Sequence, residues 1–489
     1  MSTKRKLLVA LAVFLLVCGG LFFWIWRGTP AKHTDAELSG RDPVLVEPKV
    51  EQIPSVSIAT PVGWGPNEAP VAAKGLSVTR FAEGLDHPRV IYTLPNGDVI
   101  AAEAQGPTGN MGAGFFARIA SWLMQRAGAG GVSADALILL RDGDGDGKAE
   151  QKFTLRKGNG LASPSGLAWW GDVLYVANHD SVQAFPYKLG ETVLNGAPSK
   201  VMDLPGGGNH WMRNIVLSDD GTRLYVAVGS ASNVGEKGME LEKGRAVIWE
   251  KTFGKKGYPR QFASGLRNPN GLAWNPSTGE LWVTVNERDQ LGPDLVPDYL
   301  TNVPIGAHYG WPWVWWKTHD DDRVVAQPPD YFDDYVRKPE YALGAHTASL
   351  GLVFVTGGQK LGAQFANGAF IARHGSWNRK PPAGYDVVFV TFDKFGNPQG
   401  KPVPVLTGFL TGDGDTHGRP TWLAWGKDGA LLVSDDTAGI VWRVIDPAAA
   451  PAAAIKPVVT GRLPPQRSLN DPNAQYTAKM KDDSLVKER

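Results

Sequence analysis

From residue 74 to residue 447 the chain alternates short apolar runs with turns of Asn, Asp and Gly, the pattern of strands joined into hairpins. One unit recurs: a polar or proline-containing lead, a short apolar strand, a turn, and a second apolar strand. It runs from His87-Pro88-Arg89 through Asn96-Gly97 to Glu103, from Pro164-Ser165-Gly166 through Gly171-Asp172 to Asn178, and from Arg213 through Asp219-Asp220-Gly221 to Ser230. It returns from Asn268-Pro269-Asn270-Gly271 to Glu287, more loosely from His346 to Arg373, and from Arg419-Pro420-Thr421 through Asp428-Gly429 to Asp436. Six copies predict an all-β, six-bladed β-propeller, each hairpin supplying the inner strands of a four-stranded blade. A pair of β-sandwiches explains a sixfold recurrence poorly. In a propeller the leads converge at one end of the central channel. His210, Arg213, Asn214, Arg267, Asn268, His346, Arg373 and Arg419 are therefore expected near one another, although far apart in sequence.

The flanking stretches follow other patterns. Lys4, Arg5 and Lys6 precede an uncharged apolar run over residues 7–26, long enough to span a bilayer as a helix. The charge placement predicts an N-terminal membrane anchor over 1–29, single-pass in the inner membrane, with the body in the periplasm. A cleaved signal peptide is the competing reading; the run is long for one and no small-x-small site follows. Residues 30–73, rich in Pro, Val, Ala and Glu, read as a partly extended linker. Residues 448–489 begin rich in Ala and Pro and end charged, a tail wrapped on the surface or disordered. Residues 115–126 carry helical spacing between glycine-rich flanks. They are expected to cover the channel mouth, lie against a membrane interface, or pack on the first blade.

Composition narrows this picture. A net charge of +1 over 489 residues gives no reason to expect nucleic acid as a partner. The single cysteine, Cys18, excludes an intramolecular disulfide and a CxxCH haem attachment.

Three groups of residues carry candidate chemistry. In Gly206-Gly207-Gly208-Asn209-His210-Trp211-Met212-Arg213-Asn214, a proton acceptor sits at the mouth of a hairpin, where a general base is expected. Arg267, Arg373 and Arg419 lead three different blades, and guanidiniums focused on one pocket repel one another unless a multiply charged anion fills it. The loop Asp142-Gly143-Asp144-Gly145-Asp146-Gly147-Lys148-Ala149-Glu150 alternates carboxylates and glycines as a calcium loop does, with Asp142, Asp144, Asp146 and Glu150 as ligands. Phe153 stands where an EF-hand places its bidentate glutamate, so a solvated acidic turn is the alternative.

Asn209-His210, Gly265-Leu266-Arg267-Asn268-Pro269-Asn270-Gly271, Gly292-Pro293 and Ser434-Asp435-Asp436-Thr437-Ala438-Gly439 together resemble the glucose/sorbosone dehydrogenase family. These are quinoproteins dependent on pyrroloquinoline quinone (PQQ), and the likeness is nearest to the members called sorbosone dehydrogenase. The resemblance implies PQQ and Ca²⁺ in the channel, with oxidation of an aldose or a ketoaldehyde such as L-sorbosone to the lactone or acid. It implies His210 as the base and Arg267 with Asn268 at the quinone oxygen. Arg373 and Arg419 would hold cofactor carboxylates, Arg213 would join the cofactor-binding set, and the Gly292 and Pro293 carbonyls would ligate Ca²⁺. Electrons would pass to a respiratory acceptor, a quinone or a cytochrome. The loop Glu287-Arg288-Asp289-Gln290-Leu291-Gly292-Pro293-Asp294 is longer than in the glucose enzymes, which leaves Asp289 or Asp294 as further ligands. Ser163-Pro164-Ser165-Gly166 replaces the polar Gln-Asn contacts of the glucose enzymes, which speaks against glucose itself. Two other functions compete. One is a calcium-dependent lactonase using Glu103, Asn178, Asn214 and Asn268, and the other a non-catalytic propeller binding a carbohydrate or protein.

Overall fold

The computed structural model describes residue 5 and residues 11–17, 19–20, 28–52, 55–107, 115–254 and 258–458. Its main sheets are six antiparallel blades. Blade 1 comprises Pro88–Thr93, Val99–Glu103, Ala136–Arg141 and Gln151–Lys157; blade 2 Gly166–Trp170, Val173–Ala177, Ser181–Pro186 and Ser199–Asp203. Blade 3 comprises Ile215–Leu217, Arg223–Val228, Val247–Thr252 and Arg260–Ser264; blade 4 Asn268–Trp274, Leu281–Asn286, Pro297–Asn302 and Tyr341–Ala345. Blade 5 comprises Ser349–Phe354, Gly368–Arg373, Asp386–Phe392 and Pro398–Thr407. Blade 6 takes Pro420–Trp425, Leu431–Asp435 and Ile440–Ile445 from the end of the body and is completed by Ser77–Ala82 from its start. That pairing closes the ring, and the six-bladed propeller expected from the recurrence is present.

The first strand of every blade touches those of its neighbours, blade 6 against blade 1 included. Such crowding at the axis selects small residues. A Cβ on Gly271 of blade 4 would lie 2.8 Å from Leu352 Cβ of blade 5, and one on Gly351 would lie 2.8 Å from Trp422 Cα of blade 6. Farther out, aromatic side chains fill the wedge between blades: Trp282 meets Phe392 edge-on at 5.1 Å. At the end away from the leads, the channel holds a cavity of about 830 Å³ walled by Tyr92, Trp274, Phe354 and Trp425. The polar chemistry is thereby left to the lead end.

Residues 30–73 do not form a free spacer. Ser39–Gly40 adds a fifth strand to the edge of blade 4 and Val71–Ala72 a fifth to blade 5, because an open sheet edge offers unpaired N–H and C=O groups. Asp35 is ion-paired with Arg373 at 2.7 Å. The linker is a strap bound to the propeller. Residues 448–458 of the tail lie across the far end, with Ile455 N donating to Thr356 O and Val458 N to Ser277 O; residues 459–489 lie outside the described residues. The expected helix is present as Phe115–Arg126. No helix among the described residues is long and apolar enough to cross a membrane. Most of residues 7–26, on which the anchor was read, lie outside the described residues, although 11–17 are helical with Phe14 and Leu16 exposed.

Candidate active site

Side chains stitch the blade leads together at one end of the channel. Ser165 Oγ of blade 2 accepts from Arg213 N at 2.8 Å. Arg89, leading blade 1, places Nε 3.2 Å from Met212 Sδ and also pairs with Asp436 of blade 6. His374 Nε2, after the second strand of blade 5, is 3.0 Å from Asp436 Oδ1. Asn286 Nδ2 donates to Ser349 O at 2.8 Å, joining blade 4 to blade 5. The convergence expected from the recurrence is therefore a set of direct contacts.

His210 is half-buried, with Nδ1 2.9 Å from Ser230 O. A carbonyl can only accept, so Nδ1 carries the proton and Nε2 keeps a lone pair. Burial, with the Arg267 guanidinium beside it, pulls the imidazole down to about 3, so it is neutral at physiological pH. A neutral imidazole with its tautomer fixed from behind is the form a general base requires. Asn268 shares its ground. A Cβ on Gly229 would collide with Asn268 Oδ1 and lie 2.7 Å from His210 Cβ. We expect Gly229→Ala to displace both groups and cut turnover by about tenfold or more at unchanged secondary structure. Steady-state kinetics alongside circular dichroism read this out, and full activity would separate Asn268 from the reaction.

Arg267 is buried, and its five N–H groups all have acceptors. Nε donates to Asn233 O at 3.1 Å. Nη1 donates to Asn286 O at 3.4 Å and to Glu287 O. Nη2 donates to Asn233 Oδ1 at 2.9 Å and to Asp289 Oδ2 at 3.0 Å. In place of the expected direct bond to a quinone oxygen, Arg267 sets the field around His210 and is held by Asn233 and Asp289. Burial pushes Asp289 up, but Arg267 and His346 outweigh it and hold the carboxyl well below its ordinary range. Asn378 Nδ2 donates to Asp289 Oδ1 at 2.9 Å. His346 lies 3.5 Å from the same oxygen through Nδ1 and 3.1 Å from Gly292 O through Nε2.

The other predicted residues separate. Arg213 is fully buried and donates to the carbonyls of His210, Met212 and Pro205, so it holds the His210 loop from within, and its Nε is buried without a partner. Arg373 is bound by Asp386 through two nitrogens and by Asp35. It is neutralised where a carboxylate-holding role was expected. The Gly292 and Pro293 carbonyls, expected to ligate Ca²⁺, accept from His346 and from Arg379 Nε at 3.0 Å. Arg419 is different. It is buried, its Nη2 reaches Tyr385 OH at 3.1 Å, and its guanidinium lies 5.0 Å from the Tyr385 ring centre. Among the described residues it pairs with no carboxylate, and its Nε has no hydrogen-bond partner. Both side-chain polar atoms of Asn214 and the Oδ1 of Asn268 are likewise buried without partners. Of three arginines expected to demand an anion, one does.

Asp142, Asp144, Asp146 and Glu150 bring carboxylate oxygens within 4.8 Å of one another in a loop between the outer strands of blade 1, at the end away from His210. Backbone N–H groups of Gly145 and Gly147 already bond Asp142, so the loop is curved for a cation. The lactonase ligand set does not assemble. Asn178 is spent on Ala162 N and Gly160 O, and Glu103 on Asp86 N. Sequence reasoning missed Asn233 and the Arg89–Asp436–His374 cluster. Asn233 lies in a loop with no motif, and the cluster draws on three blades.

The partner-free atoms of Arg419, Asn214 and Asn268 at the lead end fit a polar, anionic cofactor such as PQQ. Fold and site define a six-bladed propeller whose lead end carries a neutral histidine and a buried guanidinium paired with no carboxylate among the described residues. The chain belongs to the TrAA12-like family, whose model matches residues 131–302 and 326–446. It is 26% identical over 293 residues to a pyrroloquinoline quinone-dependent pyranose dehydrogenase of Coprinopsis cinerea, spanning 48% of this chain and 39% of that protein. In fold it is similar to the calcium structure of a Trichoderma reesei Carbohydrate-Active Enzymes Family AA12 protein, with TM-score 0.61 at 21% identity over 77% of this chain and 97% of that one. It is similar too to the holo form of the Coprinopsis cinerea pyranose dehydrogenase PQQ domain, with TM-score 0.58 at 22% identity over 79% of this chain and 100% of that one.

Proposed function

We propose that the chain is a PQQ-dependent sugar dehydrogenase that oxidises an aldose or a ketoaldehyde such as L-sorbosone to the lactone or acid. The observation that carries this reading is the buried Arg419 guanidinium, paired with no carboxylate among the described residues and with its Nε unpartnered, at the same channel end as a neutral His210. Bound there, PQQ would supply a two-electron acceptor for the hydride leaving the substrate carbon. Arg419 Nε and Nη1 would hold one of its carboxylates, with Asn214 as a further polar contact. His210 Nε2 takes the hydroxyl proton of the substrate, and Ser230 O stabilises the imidazolium that forms through Nδ1–H. Asn268 Oδ1 offers an acceptor beside it. Arg267 stays in place and keeps His210 neutral until substrate arrives.

Ca²⁺ is proposed for the loop of Asp142, Asp144, Asp146 and Glu150, where it stabilises blade 1 and takes no part in the reaction. Adding Ca²⁺ to chelator-treated protein should raise Tm by several degrees, and Asp144→Asn should abolish the rise. An equal rise in the variant would place the ion elsewhere. The apolar run over 7–26 after Lys4, Arg5 and Lys6 supports attachment to the inner membrane with the propeller in the periplasm, where a respiratory quinone or cytochrome would take the electrons. The test of activity is dye reduction by purified protein with PQQ and Ca²⁺ over a panel of aldoses and ketoaldehydes. Turnover that requires PQQ supports the reading; PQQ-independent lactone hydrolysis overturns it.

A further inference from the structure

We propose that the channel end bearing His210 faces the membrane, with the helix Phe115–Arg126 seated in an anionic lipid interface. The inference rests on the membrane attachment proposed above and adds which face of the propeller meets the lipid.

Two independent features lie at that end. The first is the helix. It sits between the second and third strands of blade 1, and because Glu103 pairs with Pro88, this connection emerges beside the blade leads. Its exit is pinned to the channel rim: Gly128 O is 3.1 Å from His87 Nε2, and a Cβ on Gly128 would lie 2.9 Å from Pro61 and 3.0 Å from Thr437. In the helix itself, Ile119 is 37% exposed, Trp122 50% and Met124 41%. Its sequence contains Arg118 and Arg126 and no acidic residue, and the Arg126 guanidinium lies 5.2 Å from the Trp122 ring centre. Exposed Trp and aliphatic side chains on a helix whose only charged residues are arginines are the composition of a helix lying in a headgroup layer that carries negative charge.

The second is where the chain leaves the apolar run. The strap is described from Gly28; after Thr29 N bonds Ser55 Oγ within the strap, its first bonds to the propeller go to the same end. Ala31 N donates to Lys380 O at 2.7 Å and Lys32 N to Asp294 Oδ2 at 2.8 Å. Residues 380 and 294 both lie in connections between second and third strands, those of blades 5 and 4. A segment anchored in the bilayer and continuous with Gly28 therefore delivers this end of the propeller to the surface. The helix on blade 1 then supplies a second contact across the channel mouth. A lid over the channel or a contact with a second copy of the chain are the other occupants the helix face would suit.

The test uses the full chain with Cys18→Ala, carrying one environment-sensitive fluorophore on Trp122→Cys or on Tyr258→Cys. Tyr258 is 99% exposed between the outer strands of blade 3, at the opposite end. Each protein is added to vesicles of phosphatidylethanolamine and phosphatidylglycerol containing nitroxide-labelled lipid. The expected result is a blue shift and several-fold stronger quenching at 122 than at 258. Vesicle-bound protein with equal, water-like emission at both positions overturns the orientation while leaving attachment intact. Protein that stays in solution overturns both. A signal at 122 that depends on protein concentration and not on lipid would assign the face to a second copy and also overturn the proposal.

Discussion

Replacing His210 with alanine is expected to lower kcat by about 10²–10⁴-fold while PQQ stays bound, because general-base catalysis typically contributes that much. The histidine contacts its own loop and Ser230, whereas the unpaired cation that would retain the cofactor is Arg419. Rapid kinetics with cofactor stoichiometry measured on the same sample reads both quantities. Loss of cofactor with undiminished turnover per bound cofactor would make His210 a ligand. The pH dependence has a definite sign. A base must be unprotonated, and with His210 lowered to about 3, its limb falls on the acid side and leaves kcat/KM level from about pH 5 to pH 8. An anion brought near the ring favours the imidazolium and raises that limb. A base titrating near its ordinary value in the unliganded protein would contradict the buried, Arg267-facing environment.

Arg419→Ala is expected to weaken PQQ binding by about 10- to 100-fold, the loss of charge-assisted hydrogen bonds worth roughly 1.5–3 kcal/mol. Arg373→Ala should behave oppositely. It strands Asp386 and Asp35 without their cation, a loss of about 3 kcal/mol of stability for a mostly buried pair, and leaves cofactor affinity unchanged. Equilibrium dialysis and denaturant unfolding on both variants separate the two roles. If Arg373→Ala lost cofactor and kept its stability, the reading of its two carboxylates would be reversed.

The architecture was legible because it repeats. Six leads, six hairpins and turns rich in Asn, Asp and Gly could be counted, and counting is enough to place His210, Arg267 and Asn268 at one end of a channel. What the pattern does not carry is the partner of each charge. Arg267, Arg373 and Arg419 look alike as leads, yet Asp289 claims the first and Asp386 with Asp35 the second. Asp35 comes from a stretch that reads as linker because its bonds go to residues more than 300 positions away. Gly292 and Pro293 match a motif, but His346 and Arg379 reach their carbonyls from blade 5. Asn233 clamps Arg267 through its carbonyl oxygen and its Oδ1, and has no signal in its own sequence neighbourhood.

The central claim is that Arg419 and its neighbours form a site for an anionic quinone. Calorimetric titration of the full-length protein with PQQ in Ca²⁺-containing buffer tests it most directly. Saturation at one PQQ per chain, weakened in Arg419→Ala and unaltered in Arg373→Ala, is the predicted outcome. Absence of saturable binding to the wild-type protein, or equal binding to Arg419→Ala, would contradict it.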